Sequence, residues 1–260
     1  MGEIQKGTGM TFTEALATAA RLPGVRVDRE AYLSSVLRPH CTEEQVVAAV
    51  ATNPARAGVS TAVVDRIATD SIRFEAGKAT ALSAAAGLPG ALAMVATIPA
   101  DMAQYLGHML RISQKLAYIF GWPELFNDED EPDDGTQAIL TLFLGVMGGV
   151  QVANAAVGQL SVMIAEQLAR TLPRKALTKG LVYPAVKAVA KILGVKMTKQ
   201  LFARWVSKAV PVVGAAVSGG VTLATFVPMS NRLKTHLGGL ELARSDGEQG
   251  LVQKSSSEAA

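Results

Sequence analysis

Three stretches of the chain carry no formal charge: residues 79–100, 138–165 and 209–231. At 22, 28 and 23 residues, each is long enough to cross a membrane core as a helix, since about 20 apolar residues span about 30 Å of hydrocarbon. No other feature constrains the fold as strongly. Uncharged segments of this length must meet lipid or lie against other protein, because a folded chain keeps most of its charge at the solvent face. Charged residues are only 18% of the 260, against a usual share of about a quarter. Hydrophobic residues make up 49% and mean hydropathy is +0.27. This composition excludes wholesale disorder. A single cysteine, Cys41, excludes a disulfide scaffold and suits a reducing compartment.

The punctuation inside the stretches separates them. The first holds Gly87-Leu88-Pro89-Gly90 near its middle, so two short helices joined at a turn are expected. The third opens Val210-Pro211-Val212-Val213-Gly214 and continues to Gly219-Gly220 and Pro228, which suggests a bent or re-entrant hairpin. The second is the best spanning candidate. Ile139 through Val150 is strongly apolar, and Gly145 and Gly149 form a GxxxG pair that lets another helix approach closely. Gln151, Asn154 and Gln159 follow, and amides are costly in lipid unless paired. Two readings of this stretch stand side by side, a helix inserted in a membrane and a helix buried in an all-α bundle.

Charge is divided along the chain. Residues 167–240 contain no acid and twelve basic residues, so the remainder carries a net charge of −9. Such a split points to an anionic partner for the basic part or to attraction between the parts. The acidic extreme, Asp128-Glu129-Asp130-Glu131 with Asp133 and Asp134, reads as a solvated loop. It lacks the alternation, glycine and distal glutamate of a calcium loop.

The rest of the chain reads as short helices between breakers. A loose polar lead-in over residues 1–12 shows no secretory signal. Helices are expected over residues 13–22, from about Asp28 to before Pro39, and from the capping box Thr42-Glu43-Glu44-Gln45 to about Thr52. The next, residues 60–76, places Val63, Ile67, Ser71 and Phe74 on one face and Asp65, Arg66, Thr69, Asp70 and Arg73 on the other. A helix from Pro99 to Phe120 stops at Gly121-Trp122-Pro123. A basic amphipathic region over residues 173–208 is cut by Pro173, Gly180, Pro184 and Gly194. The tail, 245–260, reads as disordered. No period-2 alternation suggests a sheet. The expected fold is a single all-α bundle over residues 13–244, with Gly/Pro-broken hydrophobic hairpins that either insert in a membrane or pack inside the bundle.

Several strings carry a resemblance. Ala84-Ala85-Ala86-Gly87-Leu88-Pro89-Gly90, Ala96-Thr97-Ile98-Pro99-Ala100-Asp101 and Gln114-Lys115-Leu116-Ala117-Tyr118-Ile119-Phe120-Gly121-Trp122-Pro123 resemble the EcsC protein family. Residues 210–220 are similar to that family's C-terminal glycine-rich segment. The resemblance covers roughly residues 59–237. It implies a bacterial, mostly helical protein connected with membranes, since the family takes its name from a locus that also encodes an ABC transporter. It carries over no catalytic residues. Thr222-Leu223-Ala224 stands where family members often keep an Asn after the glycines.

The most suggestive polar set lies on the helix after Pro99. Asp101, Gln104, His108, Arg111 and Lys115 fall within about 80° of arc at 100° per residue. Met102, Leu106, Met109, Leu110 and Leu116 cover the rest. A functional stripe would use His108 as proton carrier and Arg111 as anion clamp; the alternative is the wet face of an amphipathic helix. So narrow a stripe favours polar groups paired inside a bundle, with Asp65, Arg66, Asp70 and Arg73 as expected partners. Metal ligation has no support, because His40, Cys41, His108 and His236 lack ligand spacing. No nucleophile elbow or P-loop occurs, and no cofactor is expected.

The basic region lacks the aromatic platforms of a nucleic-acid binder apart from Tyr183, Phe202 and Trp205. Its cations interleave with apolar bulk, which fits an anionic membrane surface. The candidate lipid contacts are Lys175, Lys179, Lys187, Lys191, Lys199, Arg204 and Lys208. The sequence therefore leads to a non-enzymatic protein on the cytoplasmic side of a membrane, peripheral or hairpin-inserted, modulating a process such as transport. Anionic lipid is the expected partner; a membrane protein or a second copy is compatible. Two alternatives remain, an enzyme or ligand binder using Asp101, His108 and Arg111, and a soluble helical interaction module.

Overall fold

The computed structural model describes residues 11–86, 94–126, 132–166, 174–208 and 211–244. Among them every regular element is helical. The N-terminal helices form where the capping chemistry places them. Helix α1 (Phe12–Ala20) starts one residue earlier than expected, because Thr11 and Glu14 form a capping box. Helix α2 (Arg29–Leu37) is capped by Asp28, whose Oδ1 accepts the Ala31 N–H at 2.7 Å. Helix α3 (Glu43–Ala51) begins at the Thr42 box, with Gln45 reaching back to the Thr42 N–H.

Helices α4 (Thr61–Ala86) and α5 (Met94–Ile119) are 26 residues each. The first charge-free stretch is thus shared between the ends of two long helices, not two short ones; its Gly87-Leu88-Pro89-Gly90 centre lies outside the described residues. Helix α5 starts upstream of Pro99. It ends at Gly121, whose φ of +90° a side chain would strain. The breaker read from the sequence is real.

The second stretch contains a break its composition hid. Helix α6 (Asp134–Met147) stops at Gly148-Gly149, and α7 (Gln151–Glu166) returns against it. Gly149 takes φ +72°, and the Gly149 and Val150 N–H groups close onto Val146 and Gly145 carbonyls. No straight spanning helix forms here, and among the described residues no helix is long and apolar enough to cross a membrane. Residues Ala138 to Met147 are all buried, on a helix in contact with α5, α7 and four further helices. Helix α6 is therefore apolar on every side because protein surrounds it. Its Gly145 marks the closest approach: a Cβ there would sit 2.6 Å from Val189 Cγ1 and 2.7 Å from Ala153 Cβ. Of the expected GxxxG pair, Gly145 serves packing and Gly149 serves the turn.

Helices α8 (Arg174–Thr178) and α9 (Tyr183–Lys208) are separated at Gly180, as read. Pro184 and Gly194 do not cut α9. Pro184 stands in the first turn, where its missing N–H costs nothing. The third stretch departs most from expectation. Helix α10 runs unbroken from Pro211 to Gly238, so no hairpin forms around Gly214–Gly220. Pro211 begins the helix and Pro228 is accommodated inside it. Interior glycines cost a helix roughly 1 kcal/mol each. Contacts of α10 with α4, α5, α6 and α9 offset that cost, with Phe226, Leu233 and Leu237 fully buried.

The bundle is organised around α4, α5 and α10, which pack on one another. Helix α6 sits beneath them, covered by α7, α8 and α9, while α1 and α2 cover α5. Trp122 closes the end of α5 and stacks edge-on against Phe143 of α6, with centroids 5.0 Å apart.

Candidate functional site

Helix α4 buries the face that carries Ile67, Ala68, Ser71, Ile72, Ala76 and Ala79. At 100° per residue, position 75 lies in the middle of that face. It holds a glutamate. Glu75 is completely buried, a costly location for a carboxylate without charged partners. Helix α5 supplies them. His108, Arg111 and Lys115, at i, i+3 and i+7, fall within about 60° of arc and face α4. His108 Nδ1 lies 2.9 Å from Glu75 Oε2; Arg111 Nε and Lys115 Nζ donate to Oε1 at 3.2 and 2.7 Å.

Burial alone would raise the Glu75 carboxyl. Hydrogen bonds from His108 and Lys115, with the charges of Lys115 and Arg111, outweigh burial and hold it down at about 2. Glu75 is thus ionised and acts only as acceptor, so His108 presents an Nδ1–H to it. Lys115 is cradled further by aromatic faces, 5.4 Å from the Tyr32 centroid and 5.2 Å from that of Phe74. Tyr32 from α2 closes the site by a 2.6 Å bond between its hydroxyl and that of Ser71. Burial, chiefly, raises the Tyr32 phenol far above its usual range.

Three members of the sequence-derived stripe therefore converge. The other two do not join them. Gln104 is exposed one turn before His108. The Asp101 side chain lies outside the described residues, and its backbone position is ten residues, about 15 Å of helix, before Arg111. The expected partners were wrong. Asp65 pairs with Lys234 at 2.7 Å, and Asp70 with Arg66 and Arg73 on the exposed side of α4. Phe74, expected on the apolar face, is 55% exposed. Glu75 was missed, although its spacing four residues after Ser71 and three after Ile72 marks a carboxylate on a core face.

A second polar assembly was also missed. Arg29 donates from Nε to the Trp122 carbonyl at 3.1 Å, and from its two terminal nitrogens to Val50 and Thr52 carbonyls at 2.7 and 2.8 Å. Glu124 accepts the Arg29 N–H at 3.2 Å and the Tyr118 hydroxyl at 2.6 Å. Arg29 thereby joins the start of α2, the end of α3 and the turn after α5. It borders a cleft of about 690 Å³ that is also lined by Arg26, Asn53 and Arg56. With its donors committed to backbone, Arg29 holds the cleft together and has little left for a ligand. Among the described residues, no three His, Cys, Asp or Glu side chains converge as metal donors.

The basic surface lies elsewhere. Lys175, Lys179, Lys187 and Lys191 are exposed. Among them stand exposed apolar side chains: Leu181 at 89%, Val195 at 58%, and Ile192 and Tyr183 at 37% and 36%. On α9, Tyr183, Lys187, Lys191, Ile192 and Val195 occupy one half of the helix, and Val189 and Leu193 are buried on the other. Lys187 Nζ rests 4.7 Å from the Tyr183 ring centroid. The side chains of Lys199, Arg204 and Lys208, further along α9, lie outside the described residues.

Compared with family models, curated proteins and solved structures, the chain gives no match.

Proposed function

We propose that this protein is a non-enzymatic, peripheral membrane protein of the cytoplasmic face, attached through α8 and the exposed half of α9 to anionic lipid. The observation that carries this reading is the exposure of Leu181, Ile192 and Val195 beside Lys175, Lys179, Lys187 and Lys191. A solvated helix face has no use for large aliphatic side chains between its lysines. At a membrane the lysines meet phosphate headgroups, while the aliphatic side chains and the Tyr183 ring enter the headgroup–acyl boundary. The absence of acids from residues 167–240 removes the repulsion that would oppose such contact. Peripheral attachment fits better than hairpin insertion, because α6 spends its apolar surface on protein contacts. We take the chain to be a relative of the EcsC family on the residues that carry the likeness, and its process to be one at the membrane, such as transport.

Liposome flotation tests the reading. Vesicles containing phosphatidylserine should float the protein at low salt, neutral vesicles should not, and high salt should weaken binding because surface charge is screened. Leu181→Asp should abolish flotation without changing the helical content. No flotation on anionic vesicles at low salt, or full flotation of Leu181→Asp, would overturn it.

A further inference from the structure

The Glu75 centre does not balance its charge. Arg111 and Lys115 are two permanent cations gathered on one carboxylate, with His108 as a third group able to carry a proton. Uncompensated positive charge at a largely buried position is unfavourable unless a counter-ion can reach it. The partners are not equally committed. Lys115 is satisfied by Glu75 and two aromatic faces. Arg111 gives Glu75 only its Nε, and among the described residues its terminal nitrogens meet no acceptor. The same holds for His108 Nε2, once Nδ1 is directed at Glu75.

Access matches this arrangement. The Arg111 side chain is 24% exposed, while Glu75 beneath it is fully buried. Its Nη1 emerges under the Pro23-Gly24 turn between α1 and α2. Gly24 has φ +76°, and a Cβ there would stand 3.7 Å from Nη1, at ordinary contact distance.

We propose that Arg111, held in place by Glu75, is the anchor of a binding site for a phosphate group, with His108 Nε2 at its side. A planar guanidinium whose two outer nitrogens are free matches two phosphate oxygens. The excess positive charge favours phosphate over a singly charged carboxylate, because a phosphate monoester carries about −1.5 to −2 at neutral pH. Glu75 is then a positioning residue that fixes the guanidinium before the ligand arrives. This site is independent of the α8–α9 surface. The phosphate could belong to a soluble metabolite or to a lipid headgroup, and the two sources can be separated.

The probe is inorganic phosphate, titrated calorimetrically into the full chain with ionic strength held constant by sodium chloride. Saturable binding is expected in the wild type and in Arg66→Gln, and none in Arg111→Gln. Arg111→Lys keeps the charge on Glu75 but removes the fork, and should bind about tenfold more weakly. Should Arg111→Gln fail to fold by circular dichroism, Arg111→Lys decides. Flotation of Arg111→Gln on vesicles doped with phosphatidic acid identifies the source: loss relative to wild type assigns a lipid headgroup, and unchanged flotation assigns a soluble phosphate. The proposal falls if the wild type shows no saturable heat, if chloride alone reproduces it, or if the Arg111 variants bind like wild type. Because the titration contains no lipid, a failed membrane reading and a failed phosphate site give different results.

Discussion

Glu75→Gln isolates the electrostatic contribution of the buried centre. The substitution keeps the size of the side chain and leaves an oxygen to accept from Lys115, but removes the charge that compensates Lys115 and Arg111. The folded carboxyl titrates at about 2 against an ordinary 4.5. Linkage converts that difference into about 3 kcal/mol of stability. The sign follows from the depressed value: the contribution is complete above pH 4.5 and is lost as pH falls toward about 2. Removing one partner of a buried ion pair costs roughly 3–5 kcal/mol in other proteins, so the two routes agree. Urea denaturation should therefore show Glu75→Gln less stable than wild type by about 3 kcal/mol at neutral pH. The gap should close as the pH is lowered through the acid range, because the wild type loses what the variant never had. A gap that stays constant down to about pH 2, or one below about 1 kcal/mol at neutral pH, would refute the argument. Either result would mean that Glu75 is not held ionised by His108, Arg111 and Lys115.

Three further outcomes follow from single contacts. Gly145→Ala places a methyl group against Val189 and Ala153, and should cost about 1–3 kcal/mol by overpacking, seen as a lower melting temperature. Thr42→Ala removes the cap of α3, and should cost about 1 kcal/mol together with faster amide exchange in the first turn of that helix. Replacing Lys187 and Lys191 by Gln should weaken binding to anionic vesicles by about 1 kcal/mol per lysine, with a smaller salt dependence than wild type; equal binding would show that these lysines do not face lipid.

The legible part of the site was the part carried by one helix. His108, Arg111 and Lys115 share a face at helical spacing, so their convergence could be read before any partner was known. The partner could not be read with equal ease, because three acids, Asp65, Asp70 and Glu75, lie on α4 and only packing ranks them. Asp65 and Asp70 fell on the polar side, next to Arg66 and Arg73, and looked the better candidates. Glu75 is masked in the sequence by Phe74, one residue away and 100° around the helix, which extends the apparent apolar face in the wrong direction. The Arg29 assembly was illegible for a different reason. Its acceptors are backbone carbonyls of Val50, Thr52 and Trp122, and a sequence does not display which carbonyls a fold leaves unpaired.

By itself the sequence determined the helical class, a helix start near Asp28, the capping box at Thr42, the stop at Gly121-Trp122-Pro123, and the polar stripe of α5. These are local properties, set by side-chain period and by the backbone needs of helix ends, and they hold whatever the chain packs against. Only the tertiary structure decided the fate of the charge-free stretches. Residues 138–165 became two helices with α6 buried in protein. Of the third stretch, residues 211–231 became part of one unbroken helix, although their glycines and prolines suggested a bend. Apolarity states that a segment must leave water, and glycine states that a bend is cheap. Which neighbour covers the segment, and whether its contacts outweigh the cost of helical glycine, is fixed by residues distant in sequence. The same holds for Glu75, whose burial is tolerable only because α5 brings three basic side chains to it.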